Sequence, residues 1–196
     1  MKLYYFKDKE GNFGDDLNPW LWQSLFPGLF DDDNSHLFIG VGTLLNHRIP
    51  QADKVTVFGS GHGYGSLPAI TPQWQFYCVR GPMTAKALEL PPELAITDPA
   101  ALAPLFYTKQ HQKHYPVSFM PHCDSARYGD WQDICKRAGV HYIDPRLPYM
   151  HVFAEICRSE HLLTEAMHGA ILADAFRVPW TPVKAYSHIS EYKWQD

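Results

Sequence analysis

Four clusters in this sequence combine residue types that can do chemistry. In Thr164-Glu165-Ala166-Met167-His168-Gly169 a histidine stands where the short apolar run His161-Leu162-Leu163 passes into apolar helical text, Met167 to Phe176. A helix start presents unsatisfied N–H groups and the positive end of the dipole. That setting disfavours an imidazolium and suits a histidine that gives or takes a proton near neutrality. Asn12-Phe13-Gly14-Asp15-Asp16 places two adjacent acids after a glycine. Either acid could serve as a base, or the pair could cap the helix that follows. Gly59-Ser60-Gly61-His62-Gly63-Tyr64-Gly65 has neither Walker nor GxGxxG spacing. It reads as a flexible turn or as a cradle to which His62 adds chemistry. Arg80-Gly81-Pro82-Met83-Thr84 sets a guanidinium beside a helix start. That suits a phosphate or carboxylate, or a salt bridge to a sheet-end acid such as Asp98. His122, with Asp124 and Ser125, is a fifth candidate.

These clusters need elements to hold them. Apolar runs at Leu3–Phe6, Leu37–Gly42, Val55–Phe58, Phe76–Val79, Val117–Met120, His141–Ile143, His161–Leu163 and Val178–Val183 predict strands. Helical text is expected over Leu17–Phe26, Met83–Leu90, Trp131–Arg137, Tyr149–Arg158 and Met167–Phe176. The alternation predicts an α/β fold. Polar text from Tyr107 to Tyr115 reads as a linker, so the expected organisation is a lobe over 1–108, a linker over 109–116 and a lobe over 117–196. Each cluster follows a strand, where open α/β sheets bind ligands.

The net charge of −4 and the scattered Lys and Arg argue against a nucleic-acid surface. Cys78, Cys123, Cys135 and Cys157 form no CxxC pair and no zinc spacing, so reduced thiols and no metal are expected. Met1-Lys2-Leu3-Tyr4-Tyr5-Phe6 is too short and too soon followed by charge for a signal peptide. No apolar run reaches the ~20 residues of a membrane span, and a cytoplasmic location is expected.

Taken together, the clusters resemble the polysaccharide pyruvyl transferase family, in its bacterial exopolysaccharide branch. The matching pieces are Asn12-Phe13-Gly14-Asp15-Asp16-Leu17-Asn18, Gly40-Val41-Gly42-Thr43, Phe58-Gly59-Ser60-Gly61, Val79-Arg80-Gly81-Pro82-Met83-Thr84, Thr97-Asp98-Pro99-Ala100, Met120-Pro121-His122, Met167-His168-Gly169-Ala170 and the closing Lys193-Trp194-Gln195-Asp196. The resemblance implies two Rossmann-like lobes like those of GT-B glycosyltransferases, with the active site in a cleft. It implies transfer of an enolpyruvyl-derived unit from phosphoenolpyruvate, a donor substrate rather than a cofactor, to two sugar hydroxyls as a pyruvate ketal. The acceptor would be a glycan, often on a lipid carrier at the inner membrane face, which brings peripheral membrane contact.

On that reading His168 is the acid or a donor-phosphate ligand, and Asp15 or Asp16 the base or an acceptor contact. Asn12, Gly14, Ser60, Gly61, His62, Arg80, His122, Met167 and Gly169 line the substrates. Two departures stand out. Many family members carry an Arg two residues before the matching His, where this sequence has Ala166; Arg127, Arg146 or Arg177 could replace it. Relatives also continue past the Lys-Trp-x-Asp text, so a shortened C-terminal part with exposed apolar surface and self-association is expected. The competing readings are a nucleotide-sugar glycosyltransferase, for which only Asp31-Asp32-Asp33 superficially offers a metal motif, and a shortened non-catalytic glycan-binding or assembly protein.

Overall fold

A computed structural model describes residues 1–187 and 189–196. Among these the chain forms two compact units, each built on a parallel sheet, which fits the expected α/β class. The first unit comprises Met1–Phe6, Leu17–Pro99 and Ser190–Asp196. Its strands β1 (Lys2–Tyr4), β2 (His36–Ile39), β3 (Lys54–Phe58) and β4 (Trp74–Cys78) lie in the order β1-β2-β3-β4. Leu37, Phe38 and Ile39 of β2 and Val55, Thr56 and Val57 of β3 are buried in succession, as expected for parallel strands covered on both faces. Edge strand β4 instead alternates: Trp74 and Phe76 are half-buried, Gln75 and Tyr77 exposed.

Helix α1 (Leu17–Leu25) buries Leu17, Asn18, Leu21 and Trp22, a stripe at helical spacing. The Trp22 ring meets Phe38 and Phe58 edge-on at centroid distances of 4.7 and 5.4 Å. Its indole N–H donates to Asn18 Oδ1. The same amide donates to the Val41 carbonyl and accepts the Val41 N–H, both at 2.9 Å. A buried amide with every group satisfied thus ties α1 to the chain leaving β2. Helix α2 (Pro82–Ala87) follows β4 and opens at proline, whose missing N–H costs nothing there.

The second unit comprises Lys7–Asp16 and Ala100–Ile189. Its strands are β5 (Ser118–Met120), β6 (His141–Tyr142), β7 (Leu162–Thr164) and β8 (Trp180–Pro182), in the spatial order β6-β5-β7-β8. Helices α3 (Trp131–Ala138), α4 (Tyr149–Arg158) and α5 (Met167–Ala175) connect them. The chain leaves β5 toward β6, then returns to β7 on the other side of β5. The strand order therefore reverses between β5 and β7, the switch point at which open parallel sheets form their ligand crevice.

The units are interleaved, unlike the consecutive lobes expected at 1–108 and 117–196. Tyr107 packs edge-on against Phe153 of α4 and against Phe176, at 5.2 and 5.6 Å, so aromatic burial draws it into the second unit. The stretch expected as a linker is tied into that unit between the starts of β5 and β7. The Lys113 ammonium donates to the Cys157 and Ser159 carbonyls, and Tyr115 bridges to Ser159. Among the described residues no helix is long and apolar enough to cross a membrane. The four cysteines are free thiols.

Candidate functional site

Three pieces of the second unit meet at the switch point: the loop after β5, the turn between β7 and α5, and the segment Lys7–Asp16. Glu165 joins the first two. Its carboxylate is buried and accepts backbone N–H groups from His122 at 3.1 Å, Ala185 at 2.8 Å and Tyr186 at 2.9 Å. One side chain thus fixes the ends of β5, β7 and β8 together. Burial pushes the Glu165 carboxyl up, but the Ser125 hydroxyl and the three backbone donors outweigh it and hold its pKa below the ordinary value. Sequence reasoning included Glu165 in the turn but gave it no role. An acid immediately after a buried strand was the available signal.

Helix α5 begins at Met167 with Ala166 as its N-cap and no side-chain cap. A helix start presents its first amides and the positive end of the dipole toward an anion. Thr164 Oγ1 accepts the Ala166 N–H and donates to the Ala166 carbonyl, which fixes the turn leading into the helix. Gly169 packs closely on Thr164 and Met120, and Met167 is buried. His168 is half-buried.

The segment Lys7–Asp16 presses onto this turn. Gly14 is buried, and a Cβ there would sit 2.7 Å from His168 Cγ and closer still to Nδ1. Only a residue without a side chain allows this approach. Asp15 Oδ2 accepts the Asn12 amide N–H, Asp16 Oδ2 accepts the Asn12 backbone N–H, and Asn12 Oδ1 accepts the Gly14 N–H. The acids shape the turn that delivers Gly14. Phe13 anchors it: its side chain is buried and its N–H donates to the Pro145 carbonyl at 3.0 Å.

Arg127 clamps the segment from outside. It donates to Asp8 at 2.6 Å, Glu10 at 3.1 Å and Asp124 at 2.9 Å. Arg146 is paired with Asp144 at 2.6 Å. Two of the three cations considered as substitutes for an arginine at position 166 thus already hold carboxylates. Arg177 follows α5, in the left-handed region at φ 59°.

His122 Nδ1 lies 3.7 Å from Cys123 Sγ and 3.5 Å from Asp124 Oδ2. These three are the group among the described residues whose donor atoms gather as metal ligands would. Nδ1 accepts the Asp124 N–H at 3.2 Å. Burial, together with the Asp124, Asp15 and Asp8 carboxylates, pushes the Cys123 thiol up to about 12. The cluster reads as a hydrogen-bonded turn.

The expected residues of the first unit form a separate cluster. Ser60 Oγ donates to the Gly42 carbonyl at 2.8 Å. His62 Nδ1 lies 2.7 Å from the Leu45 carbonyl, so Nδ1 carries the proton. Gly61 sits flat against the Arg80 guanidinium: a Cβ there would lie 2.5 Å from Nη2. Arg80 is buried and donates to Asp196 at 2.9 and 3.1 Å, to Thr43 Oγ1 at 2.8 Å and to the His62 carbonyl at 2.9 Å. Asp196, not Asp98, is its carboxylate partner. The Asp196 side chain also accepts the Thr84 N–H at 2.8 Å and the Thr84 hydroxyl at 2.6 Å, capping α2 from far along the chain.

Residues 12–188 match the polysaccharide pyruvyl transferase family, a span covering both units. The chain belongs to this family. It is 48% identical over 200 aligned residues to the succinoglycan biosynthesis protein ExoV of Rhizobium meliloti (strain 1021). That match covers 100% of the chain and 63% of the relative, so the chain spans somewhat less than two thirds of the relative's length. No solved structure matches it. Of the residues the resemblance marks, Asn12, Gly14, Asp15, Asp16, His122, Met167, His168 and Gly169 lie together in the second unit. Ser60, Gly61, His62 and Arg80 lie together in the first.

Proposed function

We propose that the chain transfers the enolpyruvyl-derived group of phosphoenolpyruvate to two hydroxyls of an exopolysaccharide or lipid-linked glycan, forming a pyruvate ketal. The observation that carries this reading is the meeting of Gly14, the acids beside it and His168 at the switch point of the second sheet. Family membership supplies the reaction class, and the name of the ExoV relative points to an exopolysaccharide acceptor.

The donor carries a carboxylate and a phosphate. The uncapped start of α5 offers one of them backbone N–H groups. His168 protonates the methylene carbon, which becomes a methyl group, or holds the donor phosphate. A sugar hydroxyl then adds to the neighbouring carbon, and the bond to phosphate breaks with its electrons on the leaving oxygen. A second hydroxyl adds and closes the ketal. In net terms one hydroxyl proton ends on carbon and the other on phosphate. Asp15 or Asp16 takes a hydroxyl proton; both are half-buried and already oriented by Asn12. Asn12, Gly14, His122, Met167 and Gly169 line the substrates, while Ser60, Gly61, His62 and Arg80 shape the first unit's glycine loop. The two parallel sheets support a GT-B-like architecture. A cytoplasmic location, peripheral contact with the inner membrane face and self-association complete the proposal.

One observation favours a second reading, a non-catalytic glycan-binding protein. Ala166 replaces a cation, and Arg80 is held by Asp196. Thermal unfolding with phosphoenolpyruvate separates the two. Ligand at about a hundredfold excess over Kd stabilises by roughly 2.7 kcal/mol. A rise with phosphoenolpyruvate and none with nucleotide-sugars is expected. A rise with nucleotide-sugars alone would point to a glycosyltransferase, and no rise with either donor to the glycan-binding reading.

A further inference from the structure

The first unit carries a groove of about 820 Å³ at the edge of its sheet where β3 and β4 begin. It shares no residue with the candidate site or with the glycine loop, which leaves the opposite end of β3 and reaches the groove's wall only where Gly65 packs on His47. Loop residues 46, 47 and 49–53 form one wall and residues 67–69, 71 and 73 the other, and Trp74 opens β4 within the groove. The walls are tied to one another. The His47 N–H donates to the Ser66 carbonyl at 3.0 Å and the Val55 N–H to the Gln73 carbonyl at 3.4 Å, while the Trp74 N–H to the Thr71 carbonyl and the Arg48 N–H to Asn46 Oδ1 close turns within each wall. The Trp74 ring stacks on Phe76 at 5.8 Å, which holds its plane. A groove built this way orders little on binding.

Its chemistry selects among ligands. Among the described residues the lining contains no Lys or Arg, and its one carboxylate is Asp53. A phosphate or carboxylate ligand would meet that negative charge with no permanent cation in the lining, the His47 imidazole being its one basic group. The lining instead combines the Trp74 ring with the exposed amides Gln51 and Gln73 and the exposed Asp53 carboxylate. An aromatic face accepts the C–H face of a pyranose, and amides and a carboxylate pair with neighbouring hydroxyls. We propose that this groove binds a neutral oligosaccharide segment, as a saccharide subsite additional to the reacting residues. Its natural ligand as part of the acceptor glycan rests on the proposed transferase function; the binding itself does not require transfer.

Calorimetric titration of the full chain with neutral tetrasaccharides of glucose, galactose and mannose tests this. Saturable binding of at least one is expected, weakened tenfold or more by Trp74→Ala and by the surface pair Gln73→Ala with Asp53→Ala. The surface pair keeps the test valid if Trp74→Ala disturbs the core. His168→Ala and added phosphoenolpyruvate should leave binding unchanged. No saturable binding of any tetrasaccharide, or binding that survives the surface pair, overturns the proposal. Loss of transfer with groove binding intact counts against the transferase reading alone.

Discussion

Glu165 shows how much one side chain decides near the candidate site. Three backbone N–H groups converge on it from two segments, the loop after β5 and the chain after β8. Glu165→Gln keeps the shape but turns an amide N–H toward donors, so buried N–H groups lose acceptors. The expected cost is about 1–3 kcal/mol, read from urea unfolding. The pH dependence has a definite sign. The folded pKa is held below the ordinary value, so the stabilisation is present in full above about pH 4.3 and is lost as pH falls through the folded value. The difference between wild type and Glu165→Gln should therefore shrink on acidification below that pH and stay level above it. Gly14→Ala tests the close approach to His168. An added methyl forces the imidazole or the turn to move, at about 1–3 kcal/mol, and should shift the His168 ring resonances in an NMR spectrum.

The segment Lys7–Asp16 is the element on which the candidate site depends. It carries none of the unit's helices or strands and is held by Arg127, by Phe13 and by the turn around Asn12. Arg127→Ala should leave the sheet intact while amide hydrogen exchange of residues 8–16 accelerates, with the protection of β5 and β7 unchanged. Equal acceleration across β5 and β7 would mean that Arg127 supports the whole unit. The segment's destination was not legible in the sequence. Its glycine and paired acids announced a turn, but its clamp lies 117 and 119 residues away, at Arg127, with no local pattern to signal it. Helix ends were legible for the opposite reason. Pro148 before Tyr149–Arg158, Pro27-Gly28 after α1 and Gly139 after α3 are local punctuation.

Across the whole molecule, chain order and spatial order part company. Ser190–Asp196 belongs with the first unit, where Asp196 meets Arg80 and caps α2, and the Lys193 ammonium donates to Tyr64 Oη at 2.8 Å. The sequence marked Arg80 as able to hold a carboxylate but offered a nearby strand-end acid as its partner; the true partner lies 116 residues on. Removing one member leaves a buried charge uncompensated. Arg80→Met alone should cost about 3–5 kcal/mol, whereas Arg80→Met with Asp196→Leu should restore much of it. A restored midpoint in the double variant would separate the charge pairing from loss of the tail's packing.

The proposed role of His168 in pyruvyl transfer is tested most directly by following the reaction itself. The full chain is incubated with phosphoenolpyruvate and a lipid-linked exopolysaccharide precursor, with released phosphate and the acceptor's gain of a pyruvate ketal followed together. Both should appear in equal amounts with wild type, and both should disappear with His168→Ala while the unfolding midpoint stays within about 1 kcal/mol of wild type. Undiminished ketal formation by folded His168→Ala would contradict the assignment.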